Sequence, residues 1–149
     1  MQTVNIYTYS GVNGLIRQSA PVAYVISTET SVGEYTREAV EFVKDVTENQ
    51  SELIVLRMAF ERMNKACNVK IYTESPYVYA AIEQGWLKRW KQNNWKNAKD
   101  RDVANLEEWQ QLDKVMRIHN IEIFVKKEHS YRSWLKNEVR KARKENEHV

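Results

Sequence analysis

The hydrophobic repeat of this chain changes once, near residue 50, and that change restricts the fold more than any other feature. Before it, Val4–Ser10 and Ala39–Val46 alternate apolar or aromatic residues with polar ones, and Pro21–Ser27 between them reads as a second strand. A period of two fits a pleated strand with one buried face. Ser10-Gly11-Val12-Asn13-Gly14 reads as a turn and Gly33 as a break, so three strands with short links predict an antiparallel meander. After the change, Leu53, Leu56, Phe60 and Met63 recur at helical spacing with Ala59 beside them, predicting an amphipathic helix over Ser51–Ala66. Val69–Thr73 is a short apolar strand, and Pro76 suits the first turn of a helix running to Glu83. Gly85 interrupts, and Trp86–Trp90 resumes as a short helix. Asn93–Ala104 is polar and irregular. Leu106–His119 is helical, with Trp109, Leu112, Val115 and Met116 on one face; Ile121–Val125 is a fifth strand and Arg132–Asn146 a last helix. Strands followed by alternating helices and strands imply an α/β domain with a mixed sheet.

Length and composition add bounds. A chain of 149 residues with 42% hydrophobic and 29% charged residues fits one globular domain spanning 1–149. No apolar run approaches the roughly 18 residues of a membrane span, so no membrane association is expected. The opening Met-Gln-Thr-Val-Asn-Ile-Tyr reads as a strand start, not a secretory leader. Cys67 is the single cysteine, which forbids an intrachain disulfide and predicts a reducing, cytoplasmic location. His119, His129 and His148 are scattered, with no zinc-type spacing.

The net charge of +3 is unevenly spread. Residues 86–105 hold six Lys or Arg against two Asp, residues 126–149 hold eight against four Glu, and the remainder is net −5. Two basic segments on an acidic body predict a surface for a polyanion, although two solvated helical faces account for the charge alone equally well.

Specific residues then carry a resemblance. Trp86, Trp90, Trp95-Lys96, Asn105 and Trp109-Gln110-x-Leu112-Asp113 fall without a gap at the spacing of the compact cellular ribonucleases H that bear a basic protrusion. Ile6-Tyr7-Thr8, Glu52-Leu53 and Tyr72-Thr73-x-Ser75-x-Tyr77-Val78 match as well, and the chain resembles that family over roughly residues 4–142. The charged helical tail 143–149 falls beyond the match. The resemblance implies a ribonuclease H-like fold: a five-stranded mixed sheet, its first three strands antiparallel, flanked by helices. It also implies cleavage of the RNA strand of an RNA–DNA hybrid, with four carboxylates holding two magnesium or manganese ions.

At those four positions the chain departs from the pattern. Tyr9 stands where the first aspartate bridges both metals, and a phenol with a pKa of ~10 is neutral at pH 7. Glu52 keeps the second carboxylate. Glu74 keeps the third charge on a side chain one methylene longer. Asn137 keeps an oxygen at the fourth position without the charge. Glu52 and Glu74 are thus the remnant catalytic and metal-binding candidates, with one weakly held ion or none. Glu48 and Glu138 are the acids near enough in sequence to be considered as replacements. Val125-Lys126-Lys127-Glu128-His129 resembles the family's histidine loop, one residue short and lacking its glycines, which leaves His129 as the candidate for proton or product handling.

The resemblance also carries a binding surface. Most glycines of the RNA-facing first hairpin are absent, Glu48 replaces a usual asparagine and Pro76 a usual amide side chain, so RNA-strand reading is expected to be impaired. The DNA side is better kept. Thr47 and Asn49 match strand-proximal positions, Trp86 and Trp90 the aromatic floor, and Asn105 a backbone contact. Lys88, Arg89, Lys91, Lys96, Lys99 and Arg101 supply positive charge. Trp95 and Trp109 are also expected as packing residues. These residues predict a ribonuclease H-like protein that binds a DNA strand, a duplex or an RNA–DNA hybrid without cutting it. The alternatives are an active hybrid ribonuclease with a reduced metal site and a scaffold for a protein partner.

Overall fold

The computed structural model describes residues 1–147; His148 and Val149, the end of the predicted tail, lie outside the described residues. The elements are β1 (Thr3–Ser10), β2 (Gln18–Thr30), β3 (Gly33–Val46), α1 (Glu48–Phe60), β4 (Asn68–Thr73), α2 (Pro76–Glu83), α3 (Trp86–Gln92), α4 (Leu106–Met116), β5 (Asn120–Val125) and α5 (Arg132–Glu147). They build one five-stranded sheet in the order β3-β2-β1-β4-β5. β1–β2 and β2–β3 pair antiparallel, whereas β1–β4 and β4–β5 pair parallel. Parallel neighbours need a crossover: α1 carries the chain from β3 to β4 beside β1, and α2–α4 lead from β4 to β5.

The pleat of β1 separates the two faces. Val4 and Ile6 point into the main core with Leu53, Leu56 and Phe60 of α1, Val69 and Ile71 of β4, and Trp109 and Leu112 of α4. Tyr7 and Tyr9 point the other way, toward Leu135 and Val139 of α5, which pack on Ala23 and Val25 of β2. Three aromatic rings form a ladder across that second face: Tyr7 stacks on Tyr72 at 4.7 Å and Tyr72 on Phe124 at 5.3 Å. Their strand pairings, Tyr7 with Tyr72 and Tyr72 with Phe124, place each ring beside the next.

Several boundaries differ from the expectations: β2 runs Gln18–Thr30, three residues beyond Pro21–Ser27 at each end, and α3 reaches Gln92. α1 starts at Glu48, because Thr47 caps it: the Thr47 hydroxyl accepts from Gln50 N–H at 3.1 Å and the Gln50 side chain accepts from Thr47 N–H at 3.0 Å. The same helix ends at Phe60 and not at Ala66. Arg62 and Met63 donate to carbonyls three residues back, so Met63 still packs on the core from a tight turn and prolongs the helical spacing. β3 begins at Gly33, six residues before the alternation does, since residues 33–38 are exposed and only the β2 ladder holds them extended. α4 stops at Met116, where His119 N–H turns back to the Met116 carbonyl.

Candidate functional site

Two regions collect the residues singled out by the sequence. The first is a recess of about 260 Å³ lined by Tyr9, Ser10, Asn13, Glu48, Glu52, Glu74, Lys127 and Arg132. Its back wall is fixed by hydroxyls. Ser51 Oγ donates to the Glu48 carbonyl at 2.6 Å, so Ser10 must be the donor in the 2.6 Å contact between Ser10 Oγ and Ser51 Oγ. Ser10 Oγ in turn accepts from Val12 N–H at 3.0 Å. This relay ties the end of β1 and the first turn of the following loop to α1, one residue before Glu52.

Glu52 is 8% exposed, and its carboxyl is pushed up to about 8 by burial first, then by the neighbouring Glu74 and Glu48 carboxylates. At pH 7 it is mostly protonated and neutral. Glu74 sits just past β4 and is paired with Arg132, whose Nη2 lies 3.3 Å from Glu74 Oε1. The Arg132 Nε is buried without a partner among the described residues. Glu48 enters the same recess, held at its edge where Oε2 accepts from Gly14 N–H at 3.2 Å. Glu138 does not line it, and lies 3.6 Å from Lys141.

Asn137 lies in a different recess. It lines one of about 220 Å³ together with Lys136, Arg140 and Arg143, and only Tyr9 and Asn13 border both. His129 lines neither. Its ring lies 4.7 Å from that of Tyr7 and its Nδ1 accepts from Tyr131 N–H at 3.2 Å. Burial, then Arg132 and Lys126, hold its pKa below the ordinary imidazole value.

A pair of divalent ions needs several hard anionic oxygens converging on one volume. Among the described residues no group of three or more His, Cys, Asp or Glu side chains is placed to hold a metal ion. The recess instead contains a buried Glu52, a Glu74 already paired with a guanidinium, and a phenol where the resemblance places the bridging carboxylate. This donor set does not fit the two-metal centre that the resemblance implies.

The second region is a groove of about 560 Å³ on the protrusion, lined by Trp86, Arg89, Trp90, Gln92, Asn93, Lys96, Asn97 and Ala98. The Trp86 and Trp90 rings lie 6.4 Å apart at 48°. Trp90 meets Trp109 edge-on at 5.6 Å, and the fully buried Trp109 donates its indole N–H to Tyr77 Oη at 2.7 Å. Trp95 packs against the same core. The floor of the groove therefore rests on the main core.

The predicted cations divide by position. Arg89 and Lys96 line the groove, with Lys96 Nζ 2.6 Å from Asp102. Lys88, Lys99 and Arg101 are exposed outside it. Lys91 turns to the body, where buried Asp113 accepts from it at 2.9 Å and from Arg117 at 2.9 Å. Thr47, Asn49 and Asn105 meet in a separate recess of about 350 Å³ beside Gly14 and Leu15. The Thr47 hydroxyl is engaged in its cap, and Asn105 Nδ2 donates to Tyr77 Oη at 3.2 Å. Arg132 and Asp113 were not singled out as site residues. The Glu74 partner of Arg132 and the Lys91 partner of Asp113 are 58 and 22 positions away, beyond any local pattern.

A mixed sheet in the order β3-β2-β1-β4-β5, with acidic side chains gathered where β1, α1 and β4 meet, defines the ribonuclease H-like class of fold. The RNase H family profile matches residues 1–144. The chain belongs to the ribonuclease H family. It is 35% identical over 130 residues to a ribonuclease H of Clostridium botulinum, covering 87% of this chain and 86% of the relative. A ribonuclease H of Acetivibrio thermocellus is 33% identical over 130 residues, with 87% and 85% covered. Among solved structures, LC9-RNase H1, a type 1 RNase H with the type 2 active-site motif, is similar with a TM-score of 0.79 at 18% identity, over 96% of this chain and 72% of that one. LC11-RNase H1, solved with an RNA/DNA hybrid, is similar with a TM-score of 0.62 at 18% identity, over 93% and 98%. No helix among the described residues is long and apolar enough to cross a membrane.

Proposed function

We propose that this chain is a ribonuclease H-like protein that binds nucleic acid without cleaving it and needs no metal to bind. The observation that carries the reading is the Arg132–Glu74 ion pair inside the carboxylate recess, beside the buried Glu52. A cation built into the protein already offsets the charge that divalent ions would offset in a working site. The tryptophan groove keeps what strand binding needs: two half-buried indoles, Arg89 and Lys96 on its walls, and Lys88, Lys99 and Arg101 around it. A DNA strand, a duplex or an RNA–DNA hybrid is the proposed partner. Structural neighbours solved with an RNA/DNA hybrid and with dsDNA support that class. The lone thiol of Cys67 is buried and free, which suits a cytoplasmic setting.

One observation favours a rival, cleavage through a reduced magnesium or manganese site: Glu48, Glu52 and Glu74 do share one recess. That reading requires Arg132 to leave Glu74. A labelled RNA–DNA hybrid incubated with magnesium, manganese or chelator separates the two. Binding that survives chelator with no cleavage is the expected result. Metal-dependent cutting that disappears in Glu52→Gln would establish the rival. Neither binding nor cutting would leave a scaffold for a protein partner.

A further inference from the structure

The loss of the fourth carboxylate left more than a gap. Asn137 lies in a recess with three cationic side chains from α5, Lys136, Arg140 and Arg143, and no carboxylate lines it. Their spacing of four and three residues puts all three on one helical face. Leu135 and Val139 pin that helix to the sheet, so the cations are presented by a rigid element. Neither Lys136 nor Arg140 has an ion-pair partner among the described residues. Arg143 is oriented without being neutralised: its Nη2 donates to the Gly11 carbonyl. Gly11 permits that approach, since a Cβ there would lie 2.9 Å from Arg143 Nη2 and 2.9 Å from Val139 Cγ1. Tyr9 forms the wall shared with the acidic recess, and its hydroxyl has no hydrogen-bond partner among the described residues. The uncompensated guanidinium and ammonium groups are donor-only, and the phenol and amide beside them can each donate, which complements a phosphate.

We propose that this recess is a metal-free phosphate site in which Lys136, Arg140 and Arg143, aided by Tyr9 and Asn137, hold a phosphodiester of a bound nucleic-acid strand. This rests on the nucleic-acid-binding reading above and adds a second anchor to the tryptophan groove. A strand fixed at both would lie across the altered carboxylate region, its phosphate held by fixed side-chain charge where active relatives use ions.

The test is fluorescence anisotropy in chelator with labelled single-stranded DNA, duplex DNA and RNA–DNA hybrid, each across a salt series. The double variant Lys136→Ala/Arg140→Ala removes two exposed side chains and should retain the fold, checked by circular dichroism. It is expected to weaken binding about tenfold and to lower the salt slope on duplex by about two. Tyr9→Phe is expected to cause a smaller loss with no change in slope. An unchanged affinity and slope in the double variant, with Trp86→Ala still weakening binding, would overturn the phosphate site and leave the binding reading intact. Wild-type protein that binds none of the three would remove both. Side-chain NMR signals of Arg140 and Arg143 that move with oligonucleotide support the site. If they move only with inorganic phosphate, the recess serves a free anion and the proposal fails.

Discussion

The carboxylate recess and the tryptophan groove are built from the same ingredients, charged side chains held against one rigid core, yet they differ in where their charge is spent. In the recess it is spent internally. Glu52 is neutral through burial and through Glu74 and Glu48, and Glu74 faces Arg132. In the groove most of it faces solvent: Lys96 has an exposed partner in Asp102, while Lys88, Arg89, Lys99 and Arg101 have none among the described residues. Only Lys91 is drawn inward, by buried Asp113. On the proposed reading, the difference teaches that one domain can keep a binding surface without the charge balance that two-metal chemistry requires. The binding surface needs only solvent-facing cations on a packed aromatic floor, whereas the metal site needs several anions aimed at one point.

The sharpest way to break the contrast is to remove the support under the groove. Trp109→Ala deletes a fully buried indole on which Trp90 rests, and should cost about 3–5 kcal/mol in denaturant unfolding. Nucleic-acid affinity should fall with it; a groove that binds unchanged would mean that its floor does not depend on the core.

Protonation of Glu52 sharpens the other side. Its carboxyl titrates at about 8 when folded and near 4.5 when unfolded, so between those values the folded chain keeps a proton that the unfolded chain has lost. Stability is fully present below pH 4.5, falls as pH rises, and levels off above 8. The fall is on the order of 3–5 kcal/mol by linkage. Urea unfolding of the wild type and Glu52→Gln at pH 5 and pH 9 checks it. The variant should lack this contribution and gain relative stability at the higher pH. Parallel pH profiles would show that Glu52 is already ionised.

Smaller effects belong to the groove surface. Trp86→Ala should lose roughly 1–3 kcal/mol of strand affinity, with a smaller stability cost than Trp109→Ala because the Trp86 indole is only half-buried against the core. Lys88→Ala should lower the salt slope of duplex binding by about one and leave cleavage assays unchanged. An unaltered slope would place the strand away from α3.

Much of this architecture was legible in the chain. Pro76 after Ser75 fixed the start of α2, since proline suits the first helical turn and Ser75 Oγ accepts from Val78 N–H. A period of two marked β1 and a short apolar run marked β4, since each has one face in the main core. The start of α1 was hidden because its cap, Thr47 to Gln50, precedes the apolar run that signals the helix. The first half of β3 was hidden because an exposed hairpin arm needs no hydrophobic alternation. At the site, Tyr9 and Asn137 were picked out by the family resemblance. That Asn137 opens on a recess apart from Glu52 and Glu74, with Tyr9 bordering both, was not legible, nor was the seating of Lys91 on Asp113.

What the sequence by itself determined is the set of elements and the chemistry available at each position, because hydrophobic period, caps and side-chain ionisation are local properties. What only the tertiary structure decided is which charges meet. Arg132 and Glu74 are 58 positions apart and come together because α5 begins beside the end of β4. The register of the parallel strands and the packing of Leu135 and Val139 on β2 set that juxtaposition, and no local pattern encodes it. The same packing turns Lys136 and Arg140 into a recess without acids and leaves the carboxylates of Glu48, Glu52 and Glu74 to share another.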